Sequence, residues 1–520
     1  MSTRKSILSK TKLVGGFTLV SRFLGIIREL LQVRYFGASE LSDAFFTAYK
    51  IPNSLRKIFA EGALSAAFVP TLVQTERAHG KKGIAGLMSL GFLFFESIVL
   101  LICMVAMYKS ELIISYIVPG FSPDEIAITA QFLTILMPFI FFISTSALLA
   151  GPLQAVGHFF VPAFGPVLLN IIYIAGLGIC MYASLPIPYL CWIILFGGFV
   201  QLVMHMIAYF KLHFSFGVIR REDFWRFVHI LPKFFFCLLG MSVVEVGLFI
   251  DTSFASFLSK KGSISLIYYA HRFMGIPLGV FAAALATILL PHFSRVGSYA
   301  PKRLGFYVLE STKLVWWVLF PVSVVMILLS HKIFLTLFLS DKFSADQASE
   351  AAIILNVYLV SLFFFAINKI VVNVYYALHN TWLPGIMAAV SVGINAYLNM
   401  VLMPYFDAAG LAAATTISTI AYTVALFAFL HYYFGLRLYI KDFSVFLYRS
   451  MVQVAVIGIP FLACYALGIH AGNLLSAKLS WFFISSIGFW LWVGPLCGLY
   501  MLMLYVTRSY FGVRILFLER

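Results

Sequence analysis

Runs of apolar residues long enough to cross a bilayer follow one another along this whole chain, and no other feature restricts its fold as tightly. "FLFFESIVLLICMVAMY" (92–108) and "VLLNIIYIAGLGICMYA" (167–183) are two of them. A helix needs about 20 such residues to span the hydrocarbon. In lipid the backbone must satisfy its own hydrogen bonds, which leaves helices or a closed barrel. The period-2 alternation of a barrel strand is absent. The chain is 62% hydrophobic and 11% charged, against about 25% charged in a soluble domain. No polar stretch is long enough for a separate soluble domain. The fold class is therefore an all-α polytopic membrane protein.

About fourteen transmembrane helices are expected, at roughly 11–36, 40–72, 84–108, 125–152, 160–183, 187–212, 232–259, 264–294, 304–331, 347–378, 383–404, 408–434, 443–469 and 479–507. "GVIRREDFWRFVH" (217–229) reads as an interfacial amphipathic helix, with Phe224, Trp225 and Phe227 opposite its charges. The basic N-terminus lacks a small-residue cleavage site and reads as the start of a retained span.

With the N-terminus inside, basic clusters fall on the cytoplasmic loops: Arg4, Lys5, Lys10 and Lys12; Arg77, Lys81 and Lys82; Lys211, Arg220, Arg221 and Arg226; Arg295, Lys302 and Arg303; Arg437 and Lys441; Arg508, Arg514 and Arg520. The opposite loops hold only Lys109, Lys260, Lys261, Lys332, Lys342 and Lys478. The positive-inside rule then puts both termini in the cytoplasm. The formal +16 is mostly this topology signal and does not indicate nucleic-acid binding. The six cysteines sit in or beside apolar segments without a C-x-x-C, as buried free thiols do.

Charge inside the spans is concentrated in the first two. Arg22 and Arg28 lie about 16 Å and 25 Å along a helix beginning near Thr11, so at least one is at membrane depth. A lipid-facing Arg there costs about 2.5–3.5 kcal/mol on insertion scales. Arg22, Gly25, Glu29 and Gln32 share a helical stripe, with Arg28 beside it. On the second helix Asp43, Lys50, Lys57 and Glu61 share a face, and Pro52 is followed by Asn53, Ser54 and Arg56. Two readings stay open. The stripes either pair internally, as Arg22–Glu29, Lys50–Asp43 and Lys57–Glu61, or line a cavity that accepts an anion. Arg34, Lys233 and Arg449 lie near span ends, where they can snorkel.

"SLIYYAHRFMGIPLGVFAAALATILLPHFSR" (265–295) echoes "DAFFTAYKIPNSLRKIFAEGALSAAFVPTL" (43–72). Each has an aromatic pair, a basic group, a Pro, a small-residue stretch and a closing Pro. The offset between them falls from 223 to 221, so a short indel is needed. The echo suggests two six-helix lobes related by a pseudo-repeat, 1–215 and 232–435. A linker at 216–231 would join them, and two further helices would fill 436–520. Halves with binding groups at their interface are a recurrent transporter design. Arg272 would then face the cavity that the first half lines, and clustered arginines suit a phosphate-rich ligand. Asp251, Asn395, Asn399 and Thr415 could form a small-cation site of oxygen ligands or be interhelical hydrogen bonds. Glu96, Lys313 and Lys369 have no evident role.

"SRFLGIIRE…FG…SDAFFTAYKIPNSLRKIFAEGALSAAFVP" resembles the N-terminal signature of the MurJ (MviN) family of lipid II flippases. "FASFLSKKGSISLIYYAHRFMGIPLGVFAAALATILLP" continues the match. The family belongs to the multidrug/oligosaccharidyl-lipid/polysaccharide exporter superfamily. The resemblance implies two lobes around a cationic cavity, with a groove on helices 13 and 14 for the polyprenyl tail. It implies that Arg22, Arg28, Arg56 and Arg272 bind the substrate diphosphate. Glu29, Asp43, Lys50, Asn53, Lys57, Glu61, Ser265 and His271 would be polar or gating groups of the cavity. A sodium site would fall on Asp251, Asn395, Asn399, the Leu411 carbonyl and Thr415. Asn399 stands where an acid can occur, and His271 where an Asp often precedes the Arg. The expected protein is a monomeric transporter of the bacterial inner membrane. It would need no cofactor, and Na⁺, protons or the membrane potential would drive it. The partners implied are lipid II and membrane lipids, with no nucleic acid. Other readings are a flippase for another polyprenyl-diphosphate glycan, or an enzyme acting on polyprenyl phosphates. The second lacks the clustered acids that such chemistry needs.

Overall fold

The structure, a computed structural model, describes residues 4–518. The side chains of 4–12, 60, 61, 63, 65 and 66 lie outside the described residues, and with them Glu61 and the N-terminal lysines. Among the described residues there is no β-strand beyond one bridge between Ser340 and Phe343.

Fourteen long helical segments follow the hydropathy. They are α1 (Arg4–Phe36), α2 (40–83), α3 (Ala85–Tyr108), α4 (Pro123–Ala155), α5 (Phe160–Tyr182), α6 (Ile187–Lys211), α7 (Arg221–Ala255), α8 (Ser263–Tyr299), α9 (Pro301–Phe338), α10 (Ala345–Ala377), α11 (382–406), α12 (408–432), α13 (Ile440–Asn473) and α14 (Phe489–Thr507). Eleven helices pass on length and apolarity alone. One of the eleven is the stretch Trp382–Tyr432, which supplies both α11 and α12 and runs on across a single break at Asp407 (φ 47°). The others are α1 and α2, the two segments with the most charge.

Several helices run past their expected ends, α2 to Gly83 and α9 to Phe338 among them, and three boundaries differ for a local reason. α1 is already helical at Arg4, where the described residues begin, since Lys and Arg are good helix formers and extend the apolar run backwards. The amphipathic segment and the seventh span are one helix of 35 residues, with Pro232 inside it. α14 begins at Phe489 because Ser486 is extended and Gly488 lies tight against Phe482, which separates the short helix Ala477–Ser485.

α2 is regular over Glu40–Leu55, π-helical over Arg56–Leu64 and regular again over Ser65–Gly83. α8 repeats the plan: Pro277 ends its first half, Leu278–Ala282 is π-helical, and Ala283–Tyr299 completes it. α3 holds a third π turn, Phe92–Glu96. Such turns gather at functional places in helices.

The chain divides into two compact units, Met1–Ser265 and Leu266–Arg520. In the first, α1 packs on α5, α5 on α6, α6 on α4 and α4 on α2, while α7 lies along the π-helical part of α2. Packing and shape drive association in lipid more than hydrophobicity does. A Cβ on Gly176 would come within 2.5 Å of Ile193, so this glycine lets α5 and α6 approach. Phe68, Phe95, Phe227 and Phe234 fill the core where α2, α3 and α7 meet. In the second unit α10 packs on α9, α8 and α12, and α13 packs on α14 and α9 around Trp317, Phe461 and Tyr500.

Candidate functional site

Starting at Arg4, α1 is about 50 Å long, which puts Arg22 close to its middle. Arg22 is exposed and makes no hydrogen bond or ion pair among the described residues. Arg28 is buried instead. Its guanidinium donates to Glu29 Oε1 at 2.7 Å and to Asn170 Oδ1 at 3.0 Å, and it stands 5.1 Å from the Tyr173 ring centre. Asn170 in turn donates to the Ser21 carbonyl, and Gln32 Nε2 donates to the Tyr173 hydroxyl at 2.8 Å. The polar stripe of α1 thus faces α5. The carboxylate that the sequence offers to Arg22 is taken by Arg28, one residue away. Arg34 is exposed near the end of the helix.

The basic face of α2 is matched by a stripe of α7, whose Glu245, Leu248 and Thr252 are spaced i, i+3, i+7. Lys50 Nζ donates to Thr252 Oγ1 and, at 3.4 Å, to the Leu248 carbonyl. Glu245 accepts from Lys57 at 3.0 Å and from Ser54 Oγ at 2.5 Å. Lys50 thus meets α7 and not Asp43, the partner that the internal-pairing reading gave it, while Glu61, the partner offered to Lys57, lies outside the described residues. The acid that Lys57 meets lies 188 residues away in sequence. Arg56 folds back on Asn53, donating from Nε and Nη2 to Oδ1 at 3.2 Å and 3.0 Å.

Asp43 has another task. Its Oδ2 accepts the Gly262 N–H at 2.9 Å, and its Oδ1 accepts the Ser265 N–H at 2.8 Å and the Ser265 hydroxyl at 2.5 Å. A buried carboxylate thereby holds the N-terminus of α8, where orphan amides and the helix dipole favour negative charge. Ser42 shares the same hydroxyl. Gly262 makes this possible: its φ is +88°, and a Cβ there would sit 2.5 Å from the Ala38 carbonyl carbon. Next to it, Lys261 reaches Glu125 at 2.7 Å and Glu40 at 3.5 Å. Its bond to Glu125 raises the ammonium above its ordinary pKa.

In the second unit Arg272 is exposed on α8, one turn before Pro277, and His271 sets its ring edge-on to Tyr358 at 5.6 Å. Asn399 Nδ2 donates to Asn395 Oδ1 and Asn395 Nδ2 to Thr415 Oγ1, both at 3.2 Å. Thr415 Oγ1 donates to the Leu411 carbonyl at 3.0 Å. Four of the five cation-site candidates therefore form one chain of hydrogen bonds that crosses from α11 to α12. Asp251 belongs to the first unit. An apolar groove of about 290 Å³ lies between α9 and α13, lined by Phe320, Leu328, Met451, Gly458 and Phe461.

Sequence reasoning passed over Glu245, Asn170 and Thr252 as site residues. The signal for the first two was there, since a lone acid or amide in an apolar helix needs a partner. The residues left without a role also find partners. Lys313 pairs with Glu310 at 2.7 Å, Glu310 also accepts the Leu516 N–H at 2.7 Å, and Glu96 accepts from Ser144 at 2.8 Å.

A family model described as "Lipid II flippase MurJ" matches residues 32–482. A probable lipid II flippase MurJ of Buchnera aphidicola is 30% identical over 486 residues, covering 90% of this chain and 93% of its own length. The lipid II flippase MurJ of Burkholderia cenocepacia is 29% identical, with 80% of this chain and 82% of that protein covered. A solved structure of lipid II flippase MurJ in an inward closed conformation superposes with a TM-score of 0.76 at 27% identity. It covers 96% of this chain and 100% of its own. An inward-facing multidrug transporter of the MATE family shares the fold alone, with a TM-score of 0.65 at 13% identity and 77% and 92% of the two chains covered. With fourteen long helices among its described residues, a family model matched over 32–482 and relatives aligned along most of its length, the chain belongs to the lipid II flippase MurJ family.

Proposed function

We propose that this protein moves lipid II, the undecaprenyl-diphosphate-linked peptidoglycan precursor, from the inner to the outer leaflet of the bacterial cytoplasmic membrane by alternating access. Arg22 is the observation that carries this reading. A guanidinium in the middle of a membrane helix, with no partner among the described residues, must meet water or an anionic ligand. Family membership names the ligand, and a diphosphate offers paired oxygens that suit Arg geometry. We assign Arg22, Arg28, Arg56 and Arg272 to the diphosphate. Arg28 is the one whose position Glu29 and Asn170 fix beforehand. Glu29, Asp43, Lys50, Asn53, Lys57, Glu61, Ser265 and His271 hold or gate the cavity. The polyprenyl tail runs along a groove on α13 and α14, and both termini are cytoplasmic. A single chain is the transport unit, and its cycle is reset by the membrane potential or by a cation at Asp251, Asn395, Asn399, Leu411 and Thr415.

The test is rescue of flippase-depleted cells. Wild-type protein should restore growth, while Arg22→Ala, Arg56→Ala and Arg272→Ala, each present in the membrane at normal amount, should fail and accumulate lipid II inside. Growth of cells carrying the alanine variants would sink the assignment. Accumulation of a different lipid-linked glycan in depleted cells would replace lipid II as the substrate.

A further inference from the structure

The charges at membrane depth in α1 and α2 find a place in the transport reading, but the intramembrane acid of α3 does not. Glu96 closes the π turn Phe92–Glu96 of α3 and is 2% exposed. Its Oε1 accepts the Ser144 hydroxyl of α4 at 2.8 Å. Its Oε2 is fully buried and has no hydrogen-bond partner among the described residues, and the same is true of Thr145 Oγ1, within reach of the same carboxyl.

Among the described residues the surroundings supply Glu96 no positive charge. The 212–220 loop, which touches the turn through Phe216 on Phe92, carries His213 and Arg220, neither of them bonded to Glu96. Residues 139–155 of α4, which pack on the π turn, contain no titratable side chain, and α3 itself adds only Cys103 and Tyr108. Cys103 donates to the Met137 carbonyl. α2 and α7 reach the turn through the rings of Phe68, Phe227 and Phe234. Of their charged groups, Lys57 binds Glu245, Arg226 binds Glu222 and Asp223, His229 binds the Trp225 carbonyl, and Lys233 is exposed. Glu76, Arg77, His79, Lys81 and Lys82 follow Phe68 along α2 and likewise make no bond to Glu96 among the described residues.

A carboxylate buried without a cation is unfavourable, whereas a neutral acid can donate as well as accept. The Thr145 hydroxyl can itself donate to a charged Oε2, so it is the missing cation that calls for the proton. Once the acid is neutral, its O–H on Oε2 can donate to Thr145 Oγ1. We propose that Glu96, with Ser144 and Thr145, is a proton-binding site of the first unit, separate from the anion-binding arginines. The Ser144 hydroxyl donates to either form, and more strongly to the carboxylate. It therefore keeps the proton exchangeable. Release of the proton leaves a charge against the π turn, whose backbone has a second arrangement available as regular α-helix.

Infrared spectroscopy of the full chain in lipid nanodiscs tests this directly, whatever the transported lipid is. The carbonyl-stretch band of a protonated carboxylic acid should be present at mildly acidic pH, absent in Glu96→Gln, and lost reversibly as the pH is raised. Glu310→Gln should leave the band unchanged, because Glu310 is held as a carboxylate by Lys313. Ser144→Ala keeps the acid and removes the donor that favours its charged form, so the band should persist to higher pH. Absence of a Glu96-dependent band, or a band unmoved by pH and by Ser144→Ala in folded protein, would overturn the proposal.

Discussion

Glu245 receives Ser54 and Lys57 together, so its replacement leaves two α2 groups without their acceptor. Glu245→Ala should lower stability by about 1.5–3 kcal/mol, the range for a hydrogen bond to a charged group. Glu245→Gln should cost less, since its amide oxygen can still accept from Ser54. Thermal unfolding of the two detergent-purified variants, compared with wild type, checks the order. Gly262→Ala should cost about 1–3 kcal/mol, because alanine is strained at φ +88° and would press on the Ala38 carbonyl. An unchanged midpoint would mean that the 37–39 turn yields. At this scale the sequence shows which residues are charged but not which ones they meet. The acid that Lys57 meets, Glu245, is 188 residues away in sequence, because helix packing brings a distant stripe into reach. Glu29 went to Arg28 rather than Arg22 for a related reason: α5 buries one side of α1, and Asn170 holds Arg28 on that side.

The elements were more legible. α3, α5, α6 and α10 can be read from apolar length alone, and "MPYFDAAG" marks the α11–α12 corner by its Pro and Gly. The break itself falls on Asp407, at φ 47° and ψ −133°, a conformation that glycine adopts far more readily than aspartate. Asp407→Gly should therefore raise stability by about 1 kcal/mol and Asp407→Val should lower it. A rise in unfolding temperature for the glycine variant is the result to look for. The π turns could not be read from the pattern, since an extra residue per turn leaves the apolar count unchanged. The longer of the two echoing segments is also the one with the longer π stretch, nine residues in α2 against five in α8.

For the whole molecule, the alternating basic loops make a prediction about sidedness. In a cysteine-free background, Lys342→Cys should react with a membrane-impermeant maleimide added to intact spheroplasts, and Lys302→Cys only after the membrane is opened. The reverse pattern would invert the topology. Family membership was legible because the signature "KIPNSLRKIFAEGALSAAF" combines charge and Pro in a way that lipid-facing helices avoid.

The π turns of α2, α3 and α8 also say where such a chain can change length. A residue removed from a regular membrane helix rotates everything beyond it by about 100° and sends buried groups to the lipid. The same residue removed within Leu278–Ala282 can be absorbed as the turn relaxes to a regular helix, leaving Pro291 and its neighbours in place. Single-residue insertions and deletions among relatives should therefore collect at these three turns, which makes them points where these membrane helices can change length without losing their faces.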